Sequence, residues 1–498
     1  CYQTNSIVLR GNRSITGSNE ALVVIDNAIS SATVLQNLAP ESIESMNVIK
    51  GAQGAALYGD RGVNGVIVVT TKRGSGEDKI NIALNSSVAF ENISFMPTRQ
   101  ERYGQGWSGQ HVTYENGAWG AEFDGVVRTV GQVQADGTYF TAPYSPIDKN
   151  INKFFKTGTL LQNGLSISGG SLESGYVSLT ANKQNTDFVV DGDKLNRASF
   201  IVRGGKKIGK WTVDGNVNYI SSKTEQTTPD ILQELLQAAT NIPVEKFKNS
   251  GNEGAWTSYY RNPYWRAQNE RFIDRSDYMT GSATVGYQIN KNINLNYIAN
   301  IRTFQNNGYN YVNEYIDLIQ LGGGDASTVS SFSQYNSGQR DFYGDLTANF
   351  NYQLTEKIGF NGTLGNNITD RFYKISSVGG TNLTIPGLYT IDNVENIAAT
   401  TGGNFQTRAR SASFFTNLDF DYNDYLFLTL TGRYDMISEL VGSSEGNKYF
   451  YPSVGLSFIP TKAFEGIKSD KGLKYAKVYA NYIKVGNRST IGAYDLNS

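Results

Sequence analysis

Strictly alternating apolar and polar residues dominate the chain from about residue 79 onward. The segments 211–219, 292–302, 341–352 and 411–422 all sustain this alternation. In segment 292–302 the apolar face carries Ile293, Leu295, Tyr297, Ala299 and Ile301, and the other face carries mainly asparagine. A sustained period of two predicts long antiparallel strands with one face toward lipid and the other toward a polar lumen, as in a transmembrane β-barrel.

A soluble β-sandwich is the alternative, but its strands are usually about 5–6 residues long, and its polar face would carry more lysine and glutamate.

The lengths of the connections between these strands also support a barrel. Short turns at one rim and long loops at the other are typical of outer-membrane barrels, so we assign the long connections to the cell exterior. The turns are expected near 171–174, 205–210, 290–292, 353–356 and 422–424, and the long connections at 92–160, 223–276, 304–338 and 372–406.

We count about 13 candidate strands, which we expect to be only a portion of a barrel. Bacterial single-chain barrels have even strand numbers, and an open edge in lipid would leave backbone groups without hydrogen-bond partners. Plugged transporters close at about 22 strands. We therefore expect further strands after Ser498 and more of the first structural unit before Cys1.

Residues 1–74 have a different pattern and predict a small mixed α/β unit with its own core. The continuous apolar runs at 21–25 and 65–71 are typical of buried strands. The segment from Pro40 to Ile49 is interpreted as a short helix that leads into another strand. We therefore divide the chain into this unit, 1–74, and a barrel portion, 75–498.

Composition excludes several classes of function. The 44 Lys and Arg residues balance 45 Asp and Glu, so the net charge of -1 gives no electrostatic case for nucleic acid as a partner. One cysteine, Cys1, and one histidine, His111, leave almost no material for a disulfide, a metal cluster or a Ser-His-Asp triad. No apolar run approaches the roughly 18 residues of a membrane helix. We expect no enzymatic activity, no cofactor and no metal site.

Four consecutive motifs in the first unit resemble the plug domain of SusC/RagA-type TonB-dependent transporters. They are Ala21-Leu-Val-Val-Ile-Asp26, Ile43-Glu-Ser-Met-Asn-Val-Ile-Lys50, Ala55-Ala-Leu-Tyr-Gly-Asp-Arg-Gly-Val-Asn-Gly65 and the run from Val66 to Gly74. Their order and spacing agree with the family, whereas Asn27, Gly51 and Asp60 depart from its usual residues. The resemblance implies a plug in the barrel lumen. Its motif residues are Tyr58, Gly59, Arg61, Gly62, Asn64 and Gly65.

The barrel portion resembles the same family. The matching motifs are Phe154-Phe-Lys-Thr-Gly158, Leu165-Ser-Ile-Ser-Gly-Gly-Ser171, Asn262-Pro-Tyr-Trp265 and Lys484-Val-Gly-Asn487. The stretch after Arg433-Tyr-Asp-Met436 departs from the family pattern. The resemblance covers most of the chain. It implies a mainly β fold, an antiparallel transmembrane barrel with a small α/β plug.

The resemblance implies TonB-dependent active import of large nutrients, oligosaccharides or peptides, across the outer membrane of a Gram-negative, Bacteroidetes-like cell. A SusD-like surface lipoprotein closes such barrels as a lid, and TonB binds an N-terminal box that this sequence does not contain. The expected partners are therefore this lipoprotein, TonB, outer-membrane lipid and a glycan or peptide ligand. The alternative is a structural subunit of an outer-membrane assembly or secretion complex.

Arg61 is the residue of the plug motif for which we state a specific hypothesis. Its planar guanidinium is suited to carboxylates of the barrel wall and would hold the plug in the lumen. The alternative is that Arg61 only stabilises the fold of the plug itself.

Aromatic residues are concentrated in the long exterior connections and are candidate contacts for a ligand or partner, because aromatic faces stack on sugar rings and peptide side chains. The alternative is that they pack the loops together. His111 lies among them and is interpreted as a hydrogen-bonding residue of the loop. The candidates are Trp107, Tyr114, Trp119, Tyr139, Tyr144, Trp256, Tyr259, Tyr260, Tyr264 and Trp265.

Overall fold

The computed structural model contains two sheets that differ greatly in size. No helix among the residues it describes is long and apolar enough to cross a membrane. The described residues are 7–9, 11, 19–26, 28–30, 32–38, 42–49, 54, 58, 62–72, 79–134, 136–249, 256–257, 259–317, 320, 325–398, 403–441, 446–467 and 472–484.

The smaller sheet is built from the apolar runs of the first unit. Its strands lie in the order β2-β1-β4-β3, with β1 and β4 parallel and the other pairs antiparallel. Strands β1 and β4 are almost wholly buried, as their uninterrupted β-branched residues require. The elements are β1 (Leu22–Ile25), β2 (Ala28–Ser30), α1 (Ala32–Asn37), β3 (Ile43–Ile49) and β4 (Val66–Thr71).

The segment from Pro40 to Ile49 was predicted as a short helix that leads into a strand, and the strand is confirmed at Ile43–Ile49. Pro40 and Glu41, where the predicted helix would begin, lie outside the described residues, and a helix that was not predicted lies at Ala32–Asn37. Strand β3 pairs with β4 along its whole length, with an irregularity in the register between Ile43 and Ser45.

The larger sheet is an antiparallel wall whose strands lie side by side in the order of the chain. Among the described residues, 13 strands follow one path from β5 to β20, and β16 attaches to β15, which agrees with the predicted count. Strands β6 and β7 form a separate ribbon. The strands are β5 (Asn81–Glu91), β6 (Val127–Val130), β7 (Phe140–Pro143), β8 (Gly158–Ser171), β9 (Gly175–Asp187), β10 (Lys194–Ile208), β11 (Trp211–Thr227), β12 (Glu270–Asn290), β13 (Ile293–Val312), β14 (Ser331–Thr355), β15 (Ile358–Leu383), β16 (Val394–Ala398), β17 (Asn404–Tyr422), β18 (Leu426–Ile437), β19 (Lys448–Phe458) and β20 (Val478–Ile483).

Short helices lie in the connections between these strands. They are α2 (Asp230–Gln237), α3 (Pro263–Asn269) and α4 (Pro460–Ala463), with 3-10 turns at Ile151–Phe154, Val244–Asn249, Ile391–Asn393, Ser438–Leu440 and Glu465–Ile467.

The predicted tight turns are all present, whereas the long connections are shorter than predicted. Strand β14 has 25 residues and β15 has 26, so both extend into segments that the sequence pattern assigned to loops at 304–338 and 372–406. The reason is that a strand continues wherever its backbone groups pair with a neighbour, even after its outward residues have become polar. Apolar alternation therefore marks only the part of each strand that is suited to lipid.

The two faces of the wall differ as the alternation predicts. Leu346, Leu364 and Phe414 point outward and are 49, 51 and 55% exposed. The inner face carries buried polar side chains, such as Asn367 and Ser413. The small sheet packs against this inner face, where its apolar residues share a buried cluster with wall residues Ile201, Ile220 and Tyr278.

Candidate functional site

The small sheet is fixed to the wall by a buried arginine of β10. Arg203 points from the wall toward Asp26, which follows β1 in a left-handed backbone conformation with a φ of 47°. Nη1 of Arg203 donates to Oδ1 of Asp26 over 2.9 Å and to the carbonyl oxygen of Thr71 over 2.8 Å. The side chains of Arg203 and Asp26 are only 4% and 5% exposed.

The remaining donors of Arg203 are used by the wall itself. Nη2 donates to Oδ1 of Asp214 over 3.2 Å, and Nε donates to the hydroxyl of Tyr176 over 3.1 Å. The Tyr176 hydroxyl in turn donates to Asp214. We call Asp26, Thr71, Tyr176, Arg203 and Asp214 the Arg203 centre. Its guanidinium lies between two carboxylates, one from the small sheet and one from the wall.

Within the small sheet, Asp26 is held in place before it reaches the wall. The backbone nitrogen of Thr71 donates to Oδ1 of Asp26 over 2.8 Å, and its hydroxyl donates to Oδ2 over 2.5 Å. Because β1 and β4 are parallel neighbours, their ends lie side by side, and Thr71 orients the carboxylate toward Arg203. A carboxylate that is buried and oriented in this way binds a guanidinium through charge-assisted hydrogen bonds.

A second contact between the sheets lies beside the apolar cluster. The Ser30 hydroxyl is 3.1 Å from the hydroxyl of Tyr278 on β12. Val23, Ile67 and Val69 are at most 4% exposed in the same cluster. The contact surface therefore combines apolar burial with a few polar anchors.

The residues of the predicted plug motif are only partly described. Tyr58 lines a cavity between the small sheet and the wall, opposite Tyr343 and Arg433. Gly62 and Gly65 are buried in the turn that precedes β4, and Asn64 is partly exposed there. Gly65 has a φ of +95°, a conformation that other residues rarely adopt.

The other two motif residues, Gly59 and Arg61, lie outside the described residues, so the hypothesis about Arg61 stays a prediction. Arg203 forms an ion pair between the small sheet and the wall of the kind that we predicted for Arg61, with the charges reversed. Here the wall supplies the arginine and the small sheet supplies the carboxylate.

Above the wall, two long connections pack together into what we call the loop layer, formed by the described parts of 92–157 and 228–269. Its core contains Phe154, Leu235, Phe247 and Trp256, all at most 6% exposed. The layer is therefore a folded structure with an apolar core of its own.

Buried amide side chains connect the two halves of the loop layer. Gln105 is completely buried, its side chain accepts from the backbone of Gly131, and its own backbone nitrogen donates to Asn241. Asn150 donates from Nδ2 to the carbonyl oxygen of Ile242 over 2.5 Å. These hydrogen bonds satisfy polar backbone groups that the apolar core would otherwise leave without partners.

The structure divides the predicted ligand-contact residues into three groups. Trp107, Trp119, Tyr139 and Tyr259 are 59, 71, 37 and 45% exposed. Tyr144 and Trp256 are 0% and 1% exposed, so they pack the layer, which was the alternative interpretation, and present no ring to a ligand. The partly exposed group is Tyr114, Tyr260, Tyr264 and Trp265.

Two exposed indoles are carried by one small loop structure. The backbone nitrogen of Trp107 donates to the carbonyl oxygen of Gln110, and Gly109 donates to that of Trp119. Gly106 permits the close approach, because a Cβ there would lie 1.9 Å from the carbonyl oxygen of Gln110. His111 makes a 3.3 Å contact through Nδ1 with the carbonyl oxygen of Gln105, as a loop hydrogen-bonding residue does.

A second buried arginine organises the loop layer. Arg266 of α3 donates to Glu234 of α2 and, over 2.7 Å, to Glu270 at the start of β12. Arg261 donates to Glu270 over 3.0 Å, and Asp230 lies 3.6 Å from Arg266. We call these five residues the Arg266 centre.

Burial raises the pKa of Glu234 from its ordinary 4.5 to about 7. The nearby Arg266 opposes this rise, and the neighbouring carboxylate of Glu270 adds to it.

No local sequence pattern predicts either arginine centre. Asp26 ends the first of the four plug motifs, but no local pattern connects it to Arg203, which is 177 residues away. The available signal for Arg203 is its position on the inward, polar face of a strand, where a charged residue is expected to have a partner.

The geometry defines a class of protein, a β-wall whose inner face is occupied by a small mixed sheet. The chain belongs to the TonB-dependent receptor family, of the SusC/RagA-like type. The model described as TonB dependent receptor-like, beta-barrel matches residues 225–497, and the TonB-dependent Receptor Plug Domain model matches residues 2–66. TonB-dependent receptors are β-barrels of the outer membrane of Gram-negative bacteria, and their family comprises transporters and not enzymes.

Individual relatives agree with this assignment. A TonB-dependent receptor of Formosa agariphila is 24% identical over 97% of this chain and 47% of its own length. The TonB-dependent receptor SusC of Bacteroides thetaiotaomicron is 32% identical over 30% of this chain and 15% of its own length. The chain thus spans about half the length of the receptors that match it throughout.

Solved structures give the same fold. The RagAB peptide importer in its open-open state has a chain that superposes with a TM-score of 0.75 at 16% identity. The superposition covers 98% of this chain and 55% of that chain.

Proposed function

We propose that the protein to which this chain belongs imports large nutrients, oligosaccharides or peptides, across the outer membrane in a TonB-dependent manner. In this proposal a SusD-like lipoprotein closes the outer opening, and TonB acts on the plug from the periplasm. Similarity to SusC of Bacteroides thetaiotaomicron and to the RagAB peptide importer supports this proposal and favours a Bacteroidetes-like host.

The observation that carries the proposal is the Arg203 centre. An importer needs a plug that seals the lumen at rest and separates from the wall when it is pulled. The described contact between plug and wall has few polar anchors, chiefly Asp26 with Arg203 and Ser30 with Tyr278. Separating one partner of a buried ion pair from the other is costly, so these anchors hold the plug at rest. Because they are few, a pull that separates them can release the plug.

The exposed aromatic residues of the loop layer support ligand capture. Trp107 and Trp119 stand on one loop structure with more than half of each residue exposed. Indole faces stack on sugar rings and on peptide side chains, and a contact between two aromatic rings contributes about 0.5–1.5 kcal/mol beyond the area that it buries. We therefore propose that these two residues contact the cargo or the lid.

The proposal is tested by deleting the full-length gene and measuring growth on single oligosaccharides or peptides. We expect growth to fail on one class of nutrient and to be rescued by the intact gene, and a protonophore to stop uptake. If all uptake persists while the envelope becomes generally defective, the protein is instead a structural subunit of an outer-membrane complex.

The loop residues are tested separately with purified protein and the nutrient identified by growth. Replacing both Trp107 and Trp119 with alanine is expected to weaken binding roughly tenfold, because two stacking contacts are lost. Trp211→Ala is the matched control, since Trp211 is 51% exposed but lies beside the turn at the opposite rim. Equal binding by the double variant and the control would exclude these residues as contacts.

A further inference from the structure

The outer face of the wall carries a group of exposed cations on three adjacent strands. Arg340 lies on β14, Lys374 on β15, and Arg408 and Arg410 on β17, and all four residues are exposed. We call these four residues the basic cluster. It lies on the side of the wall opposite to the plug and is therefore distinct from the import route.

The strand register brings the four cations together. Arg340 is directly opposite Phe372 of β15, and Phe372 is directly opposite Arg408 of β17. Lys374 is two residues further along β15, on the same face as Phe372. Neighbouring strands lie about 4.8 Å apart, so Arg340 and Arg408 are separated by about 10 Å at their backbones.

Negative charge is scarce around this cluster. Arg408 donates to both carboxylate oxygens of Asp370, over 2.9 and 2.5 Å, and Arg410 shares the same carboxylate over 3.2 Å. Among the residues that the structure describes, neither Arg340 nor Lys374 has an ion-pair partner. Four cations thus face one carboxylate, and two of them have their donors available to an external anion.

An apolar surface begins immediately on the side of the cluster that faces the short turns. Phe342, Ile368 and Phe414 lie one to three outward positions further along the same three strands, and they are 37, 41 and 55% exposed. Leu346 and Leu364 continue this surface toward the turns. The cluster therefore lies where an outward apolar band ends and the strands continue toward the long loops.

A shallow groove runs between the strands at this level. Its lining includes Gly338, Arg340, Phe372 and Lys374, together with polar residues of β13 and β14. Gly338 is directly opposite Lys374, and the side-chain amide of Gln305 on β13 covers the position where a Cβ of Gly338 would lie. Phe372, Arg340 and Lys374 line the groove, which is open to the surroundings of the barrel.

We propose that the basic cluster binds the phosphate groups of a phosphorylated glycolipid in the outer leaflet, with the acyl chains of that lipid on the adjoining apolar band. Guanidinium groups recognise phosphate through paired hydrogen bonds, and lysine adds a point charge. The arrangement matches one lipid molecule in both of its parts, the anionic headgroup above and the hydrocarbon below. Such a lipid would fix the height of the barrel in the membrane.

The experiment uses the full-length protein in detergent, titrated with diphosphorylated lipid A and followed by native mass spectrometry. Replacing Arg340, Lys374, Arg408 and Arg410 with glutamine is expected to weaken lipid binding at least about tenfold. The control replaces Lys206, Lys210, Lys291 and Lys357 with glutamine, because these four exposed lysines lie near the short turns. We expect the control variant to bind as the unmodified protein does.

Three results would overturn the proposal. The first is equal binding of lipid A by the cluster variant and the control variant. The second is equal binding of a glycolipid that lacks phosphate, since the cations would then be irrelevant. The third is full displacement of lipid A by an equal concentration of inorganic phosphate, which would identify a site for free phosphate. Retention of the folded, heat-modifiable band on gels verifies that both variants keep the barrel.

Discussion

Two buried arginines, Arg203 and Arg266, have similar surroundings but connect different parts of the molecule. Each side chain is less than a tenth exposed, and each lies between carboxylates that are themselves largely buried. The carboxylates of Arg203 come from two separate sheets, whereas those of Arg266 come from α2 and from the first residue of β12, near the two ends of one connection. The same pairing of an arginine with two carboxylates therefore joins the plug to the wall at Arg203 and stabilises a single loop connection at Arg266.

The difference matters because a buried ion pair contributes little net stability but is costly to break on one side. Removing one partner of a buried pair costs about 3–5 kcal/mol, since the other charge remains in a poorly solvated site. Loss of Arg203 would therefore destabilise the contact between plug and wall. Loss of Arg266 would destabilise the packing of α2 against α3 and leave the plug unaffected.

The largest effect is expected for Arg203→Met, which leaves Asp26 and Asp214 buried without their cation. We expect the plug contact to lose about 3–5 kcal/mol and the outer membrane to admit large antibiotics that the plug normally excludes. The measurement is antibiotic sensitivity of cells that produce the full-length variant, beside hydrogen exchange of β1 and β4.

Two further variants complete this test. Arg102→Met is the matched control, because the ion pair of Arg102 with Glu122 is exposed at the surface. Combining Arg203→Met with Asp26→Asn and Asp214→Asn should restore part of the seal, since no buried charge then remains. Normal permeability and normal exchange in the single variant would mean that the apolar cluster alone retains the plug.

Whether a feature can be predicted from the sequence depends on how far apart along the chain its interacting residues lie. The alternation in segments such as 292–302 identifies the wall strands, and the apolar runs at 21–25 and 65–71 identify the core of the plug. Such patterns are visible because the side-chain period of a strand is local. Strand ends are less visible, since β14 and β15 continue through polar residues as long as their backbones pair.

The pairing of Asp26 with Arg203 could not be read from local pattern. Each residue alone resembles any polar residue near a strand end or on a polar lumen face, and only the docking of the plug brings them together. The same holds for Glu234 and Arg266, which are 32 residues apart in segments that appear loop-like. In the loop layer, the aromatic residues were predicted as ligand or partner contacts, with packing as the alternative, and composition alone could not separate buried Trp256 from exposed Trp119.

A smaller and more local effect is expected for Arg266→Met. Glu234 and Glu270 would lose their shared cation, and α2 would detach from α3 at a cost of about 3 kcal/mol. Limited proteolysis should then cleave the connection between β11 and β12 at least several times faster. Antibiotic sensitivity should stay normal, because the Arg203 centre is intact. An equally leaky membrane would contradict the separation of the two centres.

The smallest effect concerns pH, and it distinguishes the loop layer from the plug. The pKa of Glu234 is raised by burial from 4.5 to about 7 in the folded layer, so the folded state binds a proton more tightly than the unfolded one. The resulting stability is fully present below about pH 4.5 and is lost as the pH rises through about 7. Residues 230–237 should therefore exchange hydrogen more slowly at pH 5.5 than at pH 8, after correction for intrinsic rates, and β4 of the plug is the internal reference. In Glu234→Gln this dependence should disappear, whereas a dependence that survives unchanged in the variant would assign it to another group.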